Sequence, residues 1–156
     1  MKKELLSIRS MSESDLPLVV DLCRQLGYET NLPDLRKRYS RLIAHPEHGL
    51  FVACAEEIRP VGWMHLREMY SLERNFVIEV AAIVVDEQCR GRGIGRKLME
   101  TAEEWGAERG FPSVILRSRE TRLDAHRFYE GLGYLKAKKS YGFIKELDRR
   151  TVGNEV

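Results

Sequence analysis

The chain has 156 residues, enough for one ordinary domain with a real core, and its 43% hydrophobic and 32% charged side chains exclude a disordered or fibrous protein. Its 26 basic and 24 acidic side chains leave a formal charge of only +2, which excludes nucleic-acid binding by bulk electrostatics. Any function that needs positive charge must be local.

The N-terminus, MKKELLSIRS, starts positive but lacks the apolar core and cleavage site of a signal peptide, and no run reaches membrane-spanning length. Cys23, Cys54 and Cys89 are odd in number and form no C-x-x-C pair, which predicts neither a disulfide framework nor a zinc knuckle. A cytoplasmic location with no membrane partner is expected.

Leu5 to Arg9 reads as a first strand, and Ser12 and Asp15 follow in capping-box spacing. Leu18, Val19, Leu22 and Leu26 then recur at helical spacing until Gly27 offers a stop. Pro33 suits the first turn of a second helix, whose stripe is Leu35, Tyr39, Leu42 and Ile43 and whose basic side, Arg36, Lys37, Arg38 and Arg41, faces water. His45 and Pro46 end it. From Gly49 the period changes, and GLFVACAEE and VGWMHLRE form a predicted hairpin around the turn Glu57 to Pro60. NFVIEVAAIVV, Asn75 to Val85, is apolar on both faces and β-branched, so it is expected to be a central strand.

Directly after it, RGRGIG packs three glycines and two arginines into six residues. Ile94, Leu98, Ala102 and Trp105 then mark a helix that Gly110 closes. Ser113 to Arg117 is a further strand. Asp124 is placed to cap a last helix carrying Phe128, Tyr129 and Leu132, with Gly133 at its end. Tyr141 to Leu147 reads as a final strand, and TVGNEV as a loose tail over 151–156. The resulting order, β-α-α-β-β-β-α-β-α-β, predicts an α/β (α+β) fold with a mixed sheet flanked by helices, as a single domain over 1–150.

A strand, a glycine-rich turn and a helix start together converge backbone N–H groups on an anion, with the helix dipole in support. A phosphate is the expected guest. Glycine permits unusual φ values and close approach, while Arg90, Arg92, Arg96 and Lys97 surround the turn with positive charge. The Walker spacing fails, because the fifth residue after Gly91 is Arg96 and Lys97 is followed by Leu98. The dinucleotide spacing fails at Arg96 as well.

The turn does match R-x-x-G-x-G, through Arg90, Gly93 and Gly95, within V-V-D-x-x-x-R-G-x-G-I-G. Downstream, DAHRFYEGLGY, Asp124 to Tyr134, is similar to A-x-x-F-Y-x-x-x-G-F. On these two motifs and their separation the chain resembles the GCN5-related N-acetyltransferases from about the first strand to Leu147. It is most similar to small-molecule enzymes such as the aminoalkylphosphonate acetyltransferases.

The resemblance implies splayed central strands that form an acetyl-CoA cleft. It also implies that Arg90, Gly91, Arg92, Gly93, Ile94, Gly95, Arg96 and Lys97 bind the pyrophosphate, that the main chain of Ile83, Val84 and Val85 holds the acetyl group and pantetheine arm, and that Ala125 and Phe128 flank that arm. No metal is expected. A homodimer is expected by analogy with relatives.

N-acetyl transfer needs a neutral amine, a stabilised oxyanion and a leaving thiolate. An aliphatic amine with a pKa of about 10.4 is only roughly 0.1% neutral near pH 7.4, so a proton acceptor is useful. Glu79, ionisable within an apolar strand, is the candidate base, with pairing to a nearby arginine as the alternative. Unpaired N–H groups of the splayed strand would serve the oxyanion.

Tyr129 matches the family's general acid for the departing thiolate. A phenol near pKa 10 donating its proton to a thiolate near 8.5 is uphill by about 2 kcal/mol, so a hydrogen bond to the sulfur is its main expected service. The family often carries Asn where this chain has Arg122, which completes a basic stretch with Arg117, Arg119 and Arg127.

Other reactive side chains carry less. Pro46 spoils His45 and His48 as a metal pair, and Cys89 lacks the partners of a covalent nucleophile. His65 and His126 are catalytic candidates with hydrogen-bonded roles as the alternative. The reading is therefore a direct transfer of acetyl from acetyl-CoA to a primary amine of a small molecule in a ternary complex. The rivals are transfer to a protein lysine or N-terminus, and a non-catalytic acyl-CoA-binding sensor.

Overall fold

A computed structural model describes residues 5–56 and 59–147. The chain forms two compact units, one up to Arg117 and one from Ser118. In the first, strand β1 (Leu6–Ser10) leads through a short turn into helices α1 (Leu16–Gln25) and α2 (Leu32–Ile43), then β2 (His48–Ala55), β3 (Arg59–Met69), β4 (Val77–Val85), helix α3 (Ile94–Glu108) and β5 (Val114–Leu116). Glu57 and Ile58, within the predicted hairpin turn, lie outside the described residues, as does the TVGNEV tail.

Among the described residues the sheet runs β1-β2-β3-β4-β5, antiparallel except for the parallel pair β4–β5. The mixed sheet predicted from the element order is therefore present. Period-two alternation sorts its side chains onto two faces. One face presents Val52, Cys54 and Trp63 to Met11, Leu16, Val19 and Cys23 beneath α1, with Leu35 and Tyr39 of α2 packed alongside. The other presents Met64, Leu66 and Ile78, all fully buried, and takes Leu98, Met99 and Ala102 of α3. Burying each Leu or Ile of this set contributes roughly 1.5–3 kcal/mol, so both helix layers are fixed by the strands they cover.

Entry into α1 is held by one buried charge. Asp15 is 4% exposed, and its carboxylate accepts from Arg9 Nη1 and Nη2 at 2.7 and 2.8 Å and from the Ser12 N–H at 2.8 Å. The Arg9 guanidinium, above all by hydrogen bonding, holds the Asp15 carboxyl below its ordinary value of 3.8. A depressed carboxyl contributes stability above its unfolded pKa and loses it as pH falls through the folded one. Urea titrations of Arg9→Ala should therefore show a loss of about 2 kcal/mol at pH 7 that shrinks below pH 3.8.

The second unit carries α4 (Leu123–Gly131). Its start corrects one expectation: Arg122, not Asp124, is the N-cap, because the Arg122 carbonyl already accepts from the His126 N–H at 3.1 Å. Asp124 instead stands in the first turn, where a carboxylate suits the positive end of the helix. Gly133 ends the helix with φ 92°, as expected. The predicted strand Tyr141 to Leu147 is not formed. These residues carry no strand pairing, and Tyr141, Phe143, Ile144 and Leu147 are exposed. The alternating pattern is there, but a strand also needs a ladder partner.

Candidate active site

β4 is the strand on which the site is built. It pairs along Gly62 to Met69 of β3, whereas its pairing with β5 covers only Ile78, Glu79 and Val80. Beyond Val80, among the described residues, β4 has no ladder partner on its β5 side. The Asp86 N–H donates to the Val61 carbonyl at 2.8 Å, so the alternation of strand N–H groups turns Ile83 and Val85 towards that unpaired side. Val84 faces the core and is buried. A pair of in-line N–H groups without a ladder partner is what a thioester carbonyl requires.

A β-bulge interrupts β3–β4 between His65 and Leu66. His65 faces Ala82 and Leu66 faces Val80, which leaves Ala81 as the extra residue. Ala81 is exposed in mid-strand. The bulge, with two small side chains in a row, opens the sheet surface where β4 loses its β5 partner.

The glycine turn follows within a few residues. Gly91 and Gly93 have φ of 78° and 80°, and no atom lies within 4 Å of where a Cβ would stand on either. Both glycines therefore hold a left-handed backbone in front of open space. Gly93 caps α3 with its carbonyl, to which the Lys97 N–H donates at 3.0 Å, and as a glycine it makes no side-chain cap hydrogen bond to the first turn. Arg90 Nε donates to the Val85 carbonyl at 3.3 Å and ties the turn to the end of β4. A cradle of this shape fits a pyrophosphate.

One brace was not legible in the sequence. Gln25, at the end of α1, accepts from the Glu87 N–H at 2.9 Å and donates to Asp86 Oδ1 at 3.3 Å, so α1 fixes the loop that launches the glycine turn.

The alternative role foreseen for Glu79 is realised in its contacts. Its side chain is 6% exposed, and Oε2 accepts from Arg67 Nε at 2.9 Å and Nη2 at 2.8 Å. Arg67 stands directly opposite on β3, a register that spacing alone cannot give. Two residues along the same face, His65 meets His48 of β2, with Nε2 and Nδ1 2.9 Å apart. Burial first, then His48 and Arg67, push the His65 imidazole down to about 4, so it is neutral at pH 7. His48, considered with His45 as a metal pair, is thus engaged elsewhere.

Within the second unit, Tyr129 lies half-buried between Phe128 and Tyr134, with ring centroids at 5.2 and 6.4 Å. Burial raises its phenol above 10, offset in part by Arg122. Ala125 and Phe128 are likewise half-buried. Arg117, Arg119, Arg122 and Arg127 are exposed.

The family model for the GNAT acetyltransferases matches residues 17–134, which takes in α1, α2, β4, the glycine turn and the Phe128–Tyr129 helix. The chain belongs to the GNAT acetyltransferase family. It carries an acetyl-CoA-dependent N-acetyltransferase domain.

An uncharacterized N-acetyltransferase of Methanocaldococcus jannaschii is 31% identical over 73% of this chain and 53% of its own length. The aminoalkylphosphonate N-acetyltransferase of Salmonella typhimurium is 36% identical over 56% of each chain. The chain thus spans about half the length of these two relatives. An aminoglycoside N-acetyltransferase solved with CoA has the same fold, with a TM-score of 0.82 over 94% of this chain and 98% of its own at 17% identity.

Proposed function

We propose that this protein transfers acetyl from acetyl-CoA to a primary amine of a small molecule, by direct attack in a ternary complex. The observation that carries the reading is the junction of β4 and α3: two left-handed glycines before a helix N-terminus without a side-chain cap, beside a strand whose β5 pairing ends at Val80. Bound there, acetyl-CoA supplies an activated acyl group as a thioester.

The turn from Arg90 through Gly91, Arg92, Gly93, Ile94, Gly95 and Arg96 to Lys97 receives the pyrophosphate by backbone N–H groups and flanking cations. The main chain of Ile83, Val84 and Val85 receives the acyl and pantetheine portions, and the two outward N–H groups stabilise the oxyanion. Ala125 and Phe128 line the arm, and Tyr129 hydrogen-bonds the departing sulfur. Glu79, buried on β4 with its Oε2 anchored by Arg67, is the candidate carboxylate for the acceptor ammonium.

The aminoalkylphosphonate relative supports a small acceptor. Free Cys23, Cys54 and Cys89 suit a reducing cytoplasm, and the exposed apolar Tyr141, Phe143, Ile144 and Leu147 support a homodimer.

Calorimetric titration of the folded protein with acetyl-CoA and with dephospho-acetyl-CoA tests the donor half. Saturable binding, weakened when the 3′-phosphate is missing, is the expected result. No heat with either compound, in a sample that melts cooperatively, overturns the assignment.

A further inference from the structure

A cavity of about 370 Å³ lies at the ends of β4 and α3 that point away from the glycine turn. Its walls come from two connections. The link from β3 to β4 contributes Tyr70, Asn75 and Phe76, and the link from α3 to β5 contributes Arg109, Gly110 and Phe111. The Ile78 N–H, donating to the Ser113 carbonyl at 3.0 Å, stitches the two together. At about 1.5 Å of rise per residue, the 15 residues of α3 set the cavity roughly 20 Å from Gly93.

Three aromatic rings meet there. Tyr70 stands edge to face against Phe76 and Phe111, with centroids 4.7 and 6.0 Å apart. The ring is held from behind, where its hydroxyl donates to Glu68 Oε2. Tyr70 is 60% exposed and Phe76 48%, so an ordered aromatic surface stands in water. A further ring added edge to face or offset gains more than the buried area alone supplies. Gly110 holds φ 80° with nothing within 4 Å of where a Cβ would stand, so bare backbone borders open space.

Charge selects among apolar guests. Arg109 alone is charged among the described lining residues. Its guanidinium lies over Trp105 at 4.1 Å, while Nη1 donates to Glu68 Oε1 at 3.4 Å and Nη2 to the Pro46 carbonyl at 3.2 Å. These contacts fix its plane and use two of the five N–H donors of a guanidinium. With the side chain 36% exposed, donors remain for an anion. Asn75, exposed on the other wall, adds an amide. Three rings would also suit an ammonium, but a guanidinium in the same wall repels one.

We propose that this cavity is a second ligand site, for a small aromatic carboxylate. The ring of the ligand packs among Tyr70, Phe76 and Phe111, and its carboxylate accepts from Arg109 and the Asn75 amide. Size and lining agree: a few hundred Å³, mostly apolar, with two converging polar groups is the make-up of a small-molecule pocket.

Titration of the intact protein with phenylacetate, followed in ¹H–¹⁵N spectra, tests it. Saturable shifts of the Gly110 and Phe111 amides are expected, with a Kd below about 1 mM for a ligand of about ten non-hydrogen atoms. Phenylacetamide, which has the same shape without the charge, should bind about tenfold more weakly, and benzylamine more weakly still. Phe76→Ala removes a half-exposed ring and should weaken phenylacetate by about fivefold or more. Saturating acetyl-CoA should leave the phenylacetate affinity unchanged. Shifts that do not saturate, a preference for benzylamine, undiminished binding in Phe76→Ala or displacement by acetyl-CoA each overturn the proposal. Failure of acetyl-CoA itself to bind would overturn the donor reading alone, because the phenylacetate titration needs no acetyl-CoA.

Discussion

Gly93→Glu is expected to abolish measurable acetyl-CoA binding while the protein stays folded. Three effects act together at this position. Gly93 sits at φ 80°, where a Cβ costs about 1–2 kcal/mol of backbone strain. Its φ also aims the first-turn N–H groups of α3, so relaxing that strain would turn the donors away from their guest. Finally, a carboxylate would stand in the cradle where a diphosphate is to be received. Two like charges about 4 Å apart near a protein surface repel by roughly 4 kcal/mol at an effective dielectric of about 20, which alone exceeds a 100-fold loss of affinity.

The control is Gly93→Ala, which carries the strain without the charge. Calorimetry should show Gly93→Ala weakening binding by about tenfold and Gly93→Glu by more than 100-fold. Because no atom lies within 4 Å of the added Cβ, the melting temperature of either variant should fall by only a few degrees. Equal affinity in Gly93→Glu and the parent protein would move the pyrophosphate site away from this turn.

What the sequence made legible follows from what is local. The stripe Ile94, Leu98 and Ala102 predicts α3 because helical spacing is a property of one segment, and all three are buried in the structure. Gly91 and Gly93 signal their turn for the same reason: only glycine holds a left-handed backbone there at no steric cost. The apolar run of β4 announces a strand covered on both faces.

What stayed hidden depends on register. Arg67 and Glu79 are 12 residues apart in sequence and His48 and His65 are 17 apart, and each pair meets only because the β2–β3–β4 ladder sets those residues side by side. Gln25 reaches Glu87 across 62 positions for a similar reason. The misread strand at Tyr141 to Leu147 makes the converse point. Alternation of Tyr141, Phe143 and Leu147 records a preference, but pairing is a property of two segments.

Tyr129→Phe is expected to lower kcat by about 10- to 100-fold and to leave acetyl-CoA affinity unchanged. The size follows from what a buried phenol can do. Burial raises the Tyr129 pKa above its ordinary value of 10, so the hydroxyl is protonated throughout the working range and present as a donor. The same shift makes it a reluctant acid: handing the proton to a thiolate whose thiol has a pKa near 8.5 is uphill by more than about 2 kcal/mol. On the proposed reading, Tyr129 serves by a hydrogen bond that strengthens as negative charge gathers on sulfur. Such charge-assisted bonds are worth about 1.5–3 kcal/mol, which corresponds to roughly one to two decades of rate.

The sign with pH also follows. A raised pKa keeps the donor protonated well past pH 9, so kcat of the parent should show no Tyr129-dependent fall below that pH. Replacing the acetyl-thioester leaving group by one with a lower thiol pKa should narrow the gap between Tyr129→Phe and the parent, because a better leaving group needs less help. A deficit that stays constant across leaving groups would mean that Tyr129 acts through packing against Phe128 and Tyr134, and not at the sulfur.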